Sequence, residues 1–179
     1  VNKMDRLGAD YYNAVQTVHD RLGANAVPLQ IPIGAESSFT GMIDLIERKA
    51  FIYETEDAVQ HKETDIPDEF KEDVEKYRNE LIEKIAETDE DLMDKFFDDQ
   101  ELTVEELKKA LRKAVLNLEI FPVLCGSALR HRGVHPLLDA VIDYLPSPID
   151  VPSIKGPDVS DDSAAIERKP DSSEHLSAL

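Results

Sequence analysis

The 179-residue chain is 41% hydrophobic and 32% charged, the balance of a folded globular protein with length for one or two small domains. No apolar run reaches the roughly 18–20 residues needed to span a bilayer, no signal peptide is read at the N-terminus, and a single cysteine, Cys125, excludes an internal disulfide and suits a reducing, cytoplasmic compartment. The net charge of −18 concentrates in residues 51–119, where 23 acids face 10 bases; such a stretch repels nucleic-acid phosphates and favours a basic protein partner.

In chain order, GADYYNAVQTVHDRLGAN places Tyr11, Val15, Val18 and Leu22 at helical spacing, with Gly23 where the helix stops. AVPLQIPIG and FTGMIDLIERKAFIYE are β-branched and aromatic runs broken by Gly34, Gly41 and the polar pair Arg48–Lys49, and predict three strands of an antiparallel sheet. TEDAVQHKETDIP is polar and reads as a loop with an edge strand. Phe70, Val74, Tyr77, Leu81 and Ile85 form one apolar face from about Asp68 to Glu87. Leu92, Met93, Phe96 and Phe97 mark a shorter helix beginning near Thr88. Thr103 and Glu106 form a capping box for a third helix carried on by Leu107, Leu111, Ala114, Val115 and Leu118. IFPVLCGSAL predicts a buried strand entering a loop, and GVHPLLDAVIDYLP a closing helix stopped by Pro146. The proline-rich PSPIDVPSIKGPD marks a domain boundary, after which HLSAL could begin another strand.

Two short motifs carry chemistry. NKMD, Asn2 to Asp5, and GSAL, Gly126 to Leu129, stand in the order in which guanine-nucleotide-binding proteins read their base. A carboxylate at Asp5 can accept the ring N–H and the exocyclic amino group of guanine together, whereas adenine would present an acceptor to it. Asn2 can donate to the imidazole-ring nitrogen and tie neighbouring loops together. Lys3 can lay its aliphatic stem on the purine face. The Ala128 amide can donate to the guanine carbonyl, and the Ser127 hydroxyl can hold Asp5. Other candidates are set aside. His131 and His135 are four apart, but Gly133 and Pro136 break any helix there and no third ligand is evident, so no metal site is expected. Asp139 and Asp143 read as a solvent face, and Cys125 as a buried inert thiol. No catalytic arrangement is present.

The blocks VNKMDRLGADYYNAVQTVHDRLGANAVPLQIPIGAESSFTGMIDLIERKAF and VLCGSALRHRGVHPLLDAVIDYLPSPIDVP resemble the elongation factor G family, the translocation GTPases of the ribosome, over nearly the whole chain. Close relatives of similar layout are release factor three and the ribosomal protection proteins. An unrelated acidic protein-interaction domain is the alternative from another class. The resemblance implies an α/β fold (α+β as excised): the C-terminal part of a P-loop GTPase fold with an inserted antiparallel sheet and helices. It divides the chain into a GTPase remnant with the Asn-Lys-x-Asp motif at 1–26, the G-prime insert at 27–119, a GTPase strand, Ser-Ala-Leu loop and closing helix at 120–152, and a linker leading to the next domain at 153–179. It carries over Asn2, Lys3, Asp5, Ser127 and Ala128 as guanine contacts for GTP or GDP. No G-x-x-x-x-G-K-[ST] occurs and neither DRLG lies where the family's second switch would, so the phosphate loop, both switches, the magnesium ligands and the catalytic histidine have no counterpart here. The expected piece is therefore inactive alone and binds guanine nucleotide weakly. The implied partner is the ribosome, through the globular C-terminal domain of its flexible stalk protein. The flank of Glu69, Asp73, Glu80, Glu83 and Glu87, interrupted by Lys76, is the expected docking face on the insert, which is not expected to bind nucleic acid or membrane.

Overall fold

Asp10 starts the first helix, α1 (Tyr11–Leu22), in the computed structural model: its carboxylate accepts the Asn13 amide at 2.9 Å. The structure describes residues 1–55, 59–98, 100–150, 153–157 and 165–168, so the HLSAL segment lies outside the described residues. Gly23 ends α1 in the left-handed conformation, φ 60, its amide donating to the His19 carbonyl at 3.0 Å. Leu22, expected on the apolar face, is 74% exposed, because the helix stops one residue later with that side chain beyond the core.

Five strands follow: β1 (Ala26–Pro28), β2 (Gln30–Ile33), β3 (Gly41–Asp44), β4 (Lys49–Ile52) and β5 (Lys62–Thr64). The last four form an antiparallel sheet in the order β2-β3-β4-β5, with β5 at the edge as its polar sequence suggested. Asp44 closes the β3–β4 turn, its Oδ1 accepting the Ile46 and Glu47 amides at 2.9 and 2.8 Å. AVPLQIPIG is not one strand, however. It breaks at Leu29, and β1 pairs in parallel with β6 (Phe121–Val123), Val27 opposite Pro122. That second, two-stranded sheet leaves Phe121 half-exposed, so the FPV segment is less buried than its apolar sequence predicts; Ile120 and Cys125 beside it are buried.

Between β5 and β6 come α2 (Lys71–Ala86), α3 (Glu90–Phe97) and α4 (Val104–Leu116), and after β6 comes α5 (Val134–Tyr144). Val74, Leu81 and Ile85 of α2 and Leu107, Leu111 and Ala114 of α4 are buried with Ile31, Ile43 and Ile120 in one large core. The Thr103 hydroxyl accepts the Glu106 amide and the Glu106 carboxylate accepts the Thr103 amide, at 3.3 and 3.0 Å, the expected capping box. Leu118, expected to continue α4, lies past its end with φ 61 and is 72% exposed. Burial also selected a residue the charge pattern hid. Arg78, in the middle of acidic α2, is only 6% exposed, and its guanidinium donates to the carbonyls of Leu45 and Ile46, the latter at 2.9 Å.

Residues Val1–Tyr144 form one unit and Leu145–Leu179 another. The second holds a turn at Pro148–Asp150, where the Asp150 carboxylate accepts the Ser147 amide at 2.8 Å, and an antiparallel pair, β7 (Ile154–Pro157) and β8 (Ala165–Arg168). The described residues mix helices and strands, with one parallel sheet and two antiparallel ones, the expected α/β arrangement. No helix of the described residues is long and apolar enough to cross a membrane.

Candidate guanine-reading site

The two motif loops are stitched together by backbone. The Gly126 amide donates to the Val1 carbonyl at 3.0 Å and the Met4 amide to the Gly126 carbonyl at 3.1 Å. Met4 is the anchor: it is 1% exposed and shares a second, smaller core with Tyr11, Phe39, Met42, Tyr53 and Cys125. Burying that one side chain turns its neighbours Lys3 and Asn2 outward. Lys3 adopts φ 65, a left-handed conformation, and Asn2 braces the turn, its Oδ1 accepting the Lys3 amide at 2.7 Å and the Ala128 amide at 3.0 Å. Asn2 thus ties the loops together as its amide chemistry suggests. The Ala128 amide, read from the sequence as a donor to the guanine carbonyl, donates here to Asn2.

Asp5 is the chemical centre. The Ser127 hydroxyl donates to its Oδ1 at 2.6 Å, and the Arg130 Nε stands 3.9 Å from its Oδ2. The Ser127 hydrogen bond chiefly, with help from Arg6 and Arg130 and against the cost of desolvation, holds the carboxyl below the usual aspartate range. A carboxylate kept ionised, its side chain 13% exposed, suits the paired donors of guanine. Ser127 itself is fully buried, fixed by a two-way backbone bridge with Arg132 at 2.9 and 3.0 Å. The loop can fold this tightly because Gly126 and Gly133 have no side chains: a Cβ on Gly133 would lie 2.6 Å from the Cys125 carbonyl oxygen, and one on Gly126 2.6 Å from the Arg132 carbonyl oxygen. Val1, Asn2, Ser127 and Ala128 border a hollow of about 170 Å³.

Three residues of this neighbourhood carried no signal in the sequence. Glu36, in the turn between β2 and β3, accepts the Gly8 amide on its carboxylate at 2.6 Å. Tyr53, just past β4, accepts the Gly133 amide on its hydroxyl at 2.7 Å. Arg132 is buried with its guanidinium on the Phe39 carbonyl. Each acts across dozens of residues, which no local pattern encodes. Among the described residues no group of three or more His, Cys, Asp or Glu side chains could hold a metal ion. Burial pushes the Cys125 thiol up to about 12, keeping it an inert thiol.

The five acidic residues of this flank are all exposed, Glu69 in the turn leading into α2, Asp73, Glu80 and Glu83 along it, and Glu87 capping its C-terminal end. They are not equivalent. Lys84 pairs with Glu87 at 2.8 Å, and the Lys76 ammonium lies 5.1 Å from the Tyr77 ring centre. Glu80 and Glu83 border a groove of about 350 Å³ between α1 and α2, whose apolar wall includes Tyr12, Val15, Pro28 and Leu81. Tyr12 and Tyr77 stack across it with ring centres 5.3 Å apart.

Comparison with known proteins relates the chain to a family and to solved structures. The model of the elongation factor Tu GTP binding domain matches residues 1–147. A crystal structure of a protein from Thermus thermophilus superposes with a TM-score of 0.73 at 35% identity, over 86% of this chain and 23% of that one. The chain thus spans about a quarter of the length of that protein.

Proposed function

The chain belongs to the elongation factor Tu GTP-binding domain family, and from that premise we propose that it is the guanine-reading part of an elongation factor G, a cytoplasmic GTPase that drives translocation on the ribosome. The observation that carries this reading is the bond from Ser127 to Asp5, which joins two motifs 122 residues apart around one carboxylate. Asp5 selects guanine through its two donors, Asn2 and Ala128 hold the loops at the opposite edge, and Lys3 covers the base. Residues 1–26 and 120–152 belong to the GTPase domain, 27–119 form its G-prime insert, and 153–179 lead into the following domain. With the phosphate-binding motifs outside these 179 residues, the polypeptide reads the base without hydrolysing the nucleotide.

The acidic face of α2 is the second functional surface in this reading. It docks the C-terminal domain of the ribosomal stalk protein, with Glu80 and Glu83 foremost because they border the apolar groove. Saturation-transfer NMR with guanosine and adenosine tests the base-reading role. Contacts to the guanine ring alone are expected; equal transfer to both bases, or to neither, favours instead an acidic interaction domain, a role to which the 23 acids of residues 51–119 are suited.

A further inference from the structure

The Met4–Gly8 turn that carries Asp5 is gripped at both ends by one residue of the turn between β2 and β3. The Glu36 amide donates to the Met4 carbonyl at 2.8 Å, and the Glu36 carboxylate accepts the Gly8 amide at 2.6 Å. Around that span the chain closes on itself through Arg6 N–H to the Lys3 carbonyl and Ala9 N–H to the Arg6 carbonyl, both 3.0 Å. Glu36 holds φ 55 to do this, a conformation that residues other than glycine rarely adopt. Such outliers persist where the surroundings over-determine them. Here they do: Gly34 turns with φ 75, Ser38 Oγ donates to the Ala35 carbonyl at 2.7 Å, and Thr40 N–H closes the loop on Ile33 at 3.0 Å. The opposite motif loop is gripped by the same sheet, through Tyr53 on Gly133 and the Phe39 carbonyl on Arg132.

We propose that Glu36 is a positioning residue for base recognition, setting the place of the Asp5 carboxylate by bracketing its turn from the inserted sheet. The proposal rests on the base-reading role argued above. Two parallel hydrogen bonds to one carboxylate tolerate displacements of only about half an ångström, so a turn released at Gly8 loses the second contact before it loses the nucleotide. The insert is then an alignment frame for the base loops as well as a docking surface, and Glu36 is where the frame meets the loop.

The test uses the full-length translation factor carrying this segment, with GDP and IDP as probes. IDP lacks the exocyclic amino group and so forfeits one of the two Asp5 contacts. In Glu36→Ala the preference for GDP over IDP should fall about tenfold, with the dissociation of GDP accelerated and that of IDP little changed. Glu36→Gln keeps an oxygen facing the Gly8 amide and should restore most of the preference. Deuterium exchange at Gly8 should quicken in Glu36→Ala and stay slow in Glu36→Gln. An unchanged GDP:IDP ratio in Glu36→Ala, or an equal loss for both nucleotides, overturns the proposal, since a merely structural role lowers both together. A wild-type protein without any GDP preference overturns the base-reading role itself, and this inference with it.

Discussion

The Ser127 hydroxyl and the Asp5 carboxylate meet at 2.6 Å, joining residues 122 apart. The bond favours the ionised form of the carboxylate and ties the two motif loops to each other. Replacing Ser127 with Ala should raise the Asp5 pKa toward its ordinary value. The sign follows from the depressed folded-state value: the stabilisation is complete above the unfolded pKa, near 4, and is lost as pH falls through the folded pKa. The variant should therefore lose most of this acid-range contribution. Carboxyl-carbon NMR titration of Asp5 in both proteins checks it, and identical titration curves would refute the coupling.

Hydrolysis of GTP should be absent from the 179-residue polypeptide, with or without ribosomes. Phosphoryl transfer depends on placing phosphates, magnesium and water, and no phosphate-loop sequence occurs in the chain. Ribosome-stimulated phosphate release by the purified polypeptide would contradict this.

Nucleotide affinity should be set by the base. Without the backbone amides and lysine of a phosphate loop, base contacts leave affinity at about the millimolar level, roughly 4 kcal/mol. Guanosine and GTP should titrate alike in chemical-shift mapping of Asn2 to Gly8. A hundredfold advantage for GTP would reveal a phosphate site elsewhere in the chain.

Reversal of charge at Glu80 and Glu83 should abolish stalk-domain binding. Both carboxylates are exposed on α2 and border the α1–α2 groove, so Glu80→Lys with Glu83→Lys leaves the buried face of the helix intact. Binding of the wild type should weaken as salt rises. Chemical-shift titration at low salt reads it; an unchanged affinity in the double variant would defeat the docking assignment.

Arg78→Leu should destabilise the unit by about 2–4 kcal/mol, because the carbonyls of Leu45 and Ile46 lose their buried donor. Arg48→Ala, which removes a half-exposed ion pair with Glu75, should cost no more than about 1 kcal/mol. Urea denaturation followed by circular dichroism separates the two; equal midpoints would show that Arg78 is not the clamp.

Much of the architecture was legible before folding. Gly23, Thr103 and Glu106 announce helix ends because caps are satisfied by residues three or four positions away, although the Asp10 cap of α1 appeared only in the structure. The faces of α2 and α4 follow from a period that any helix imposes. Asn2, Asp5 and Ser127 could be named because their chemistry is specific enough to survive without coordinates. Tertiary structure alone decided the rest. The parallel pairing of β1 with β6, the burial of Arg78 and the grip of Glu36 on Gly8 all depend on which distant segment arrives beside a residue. A backbone carbonyl that accepts Arg78 and a turn that needs Glu36 leave no mark on the neighbouring sequence, because hydrogen bonds of that kind are specified by three-dimensional position and not by local spacing.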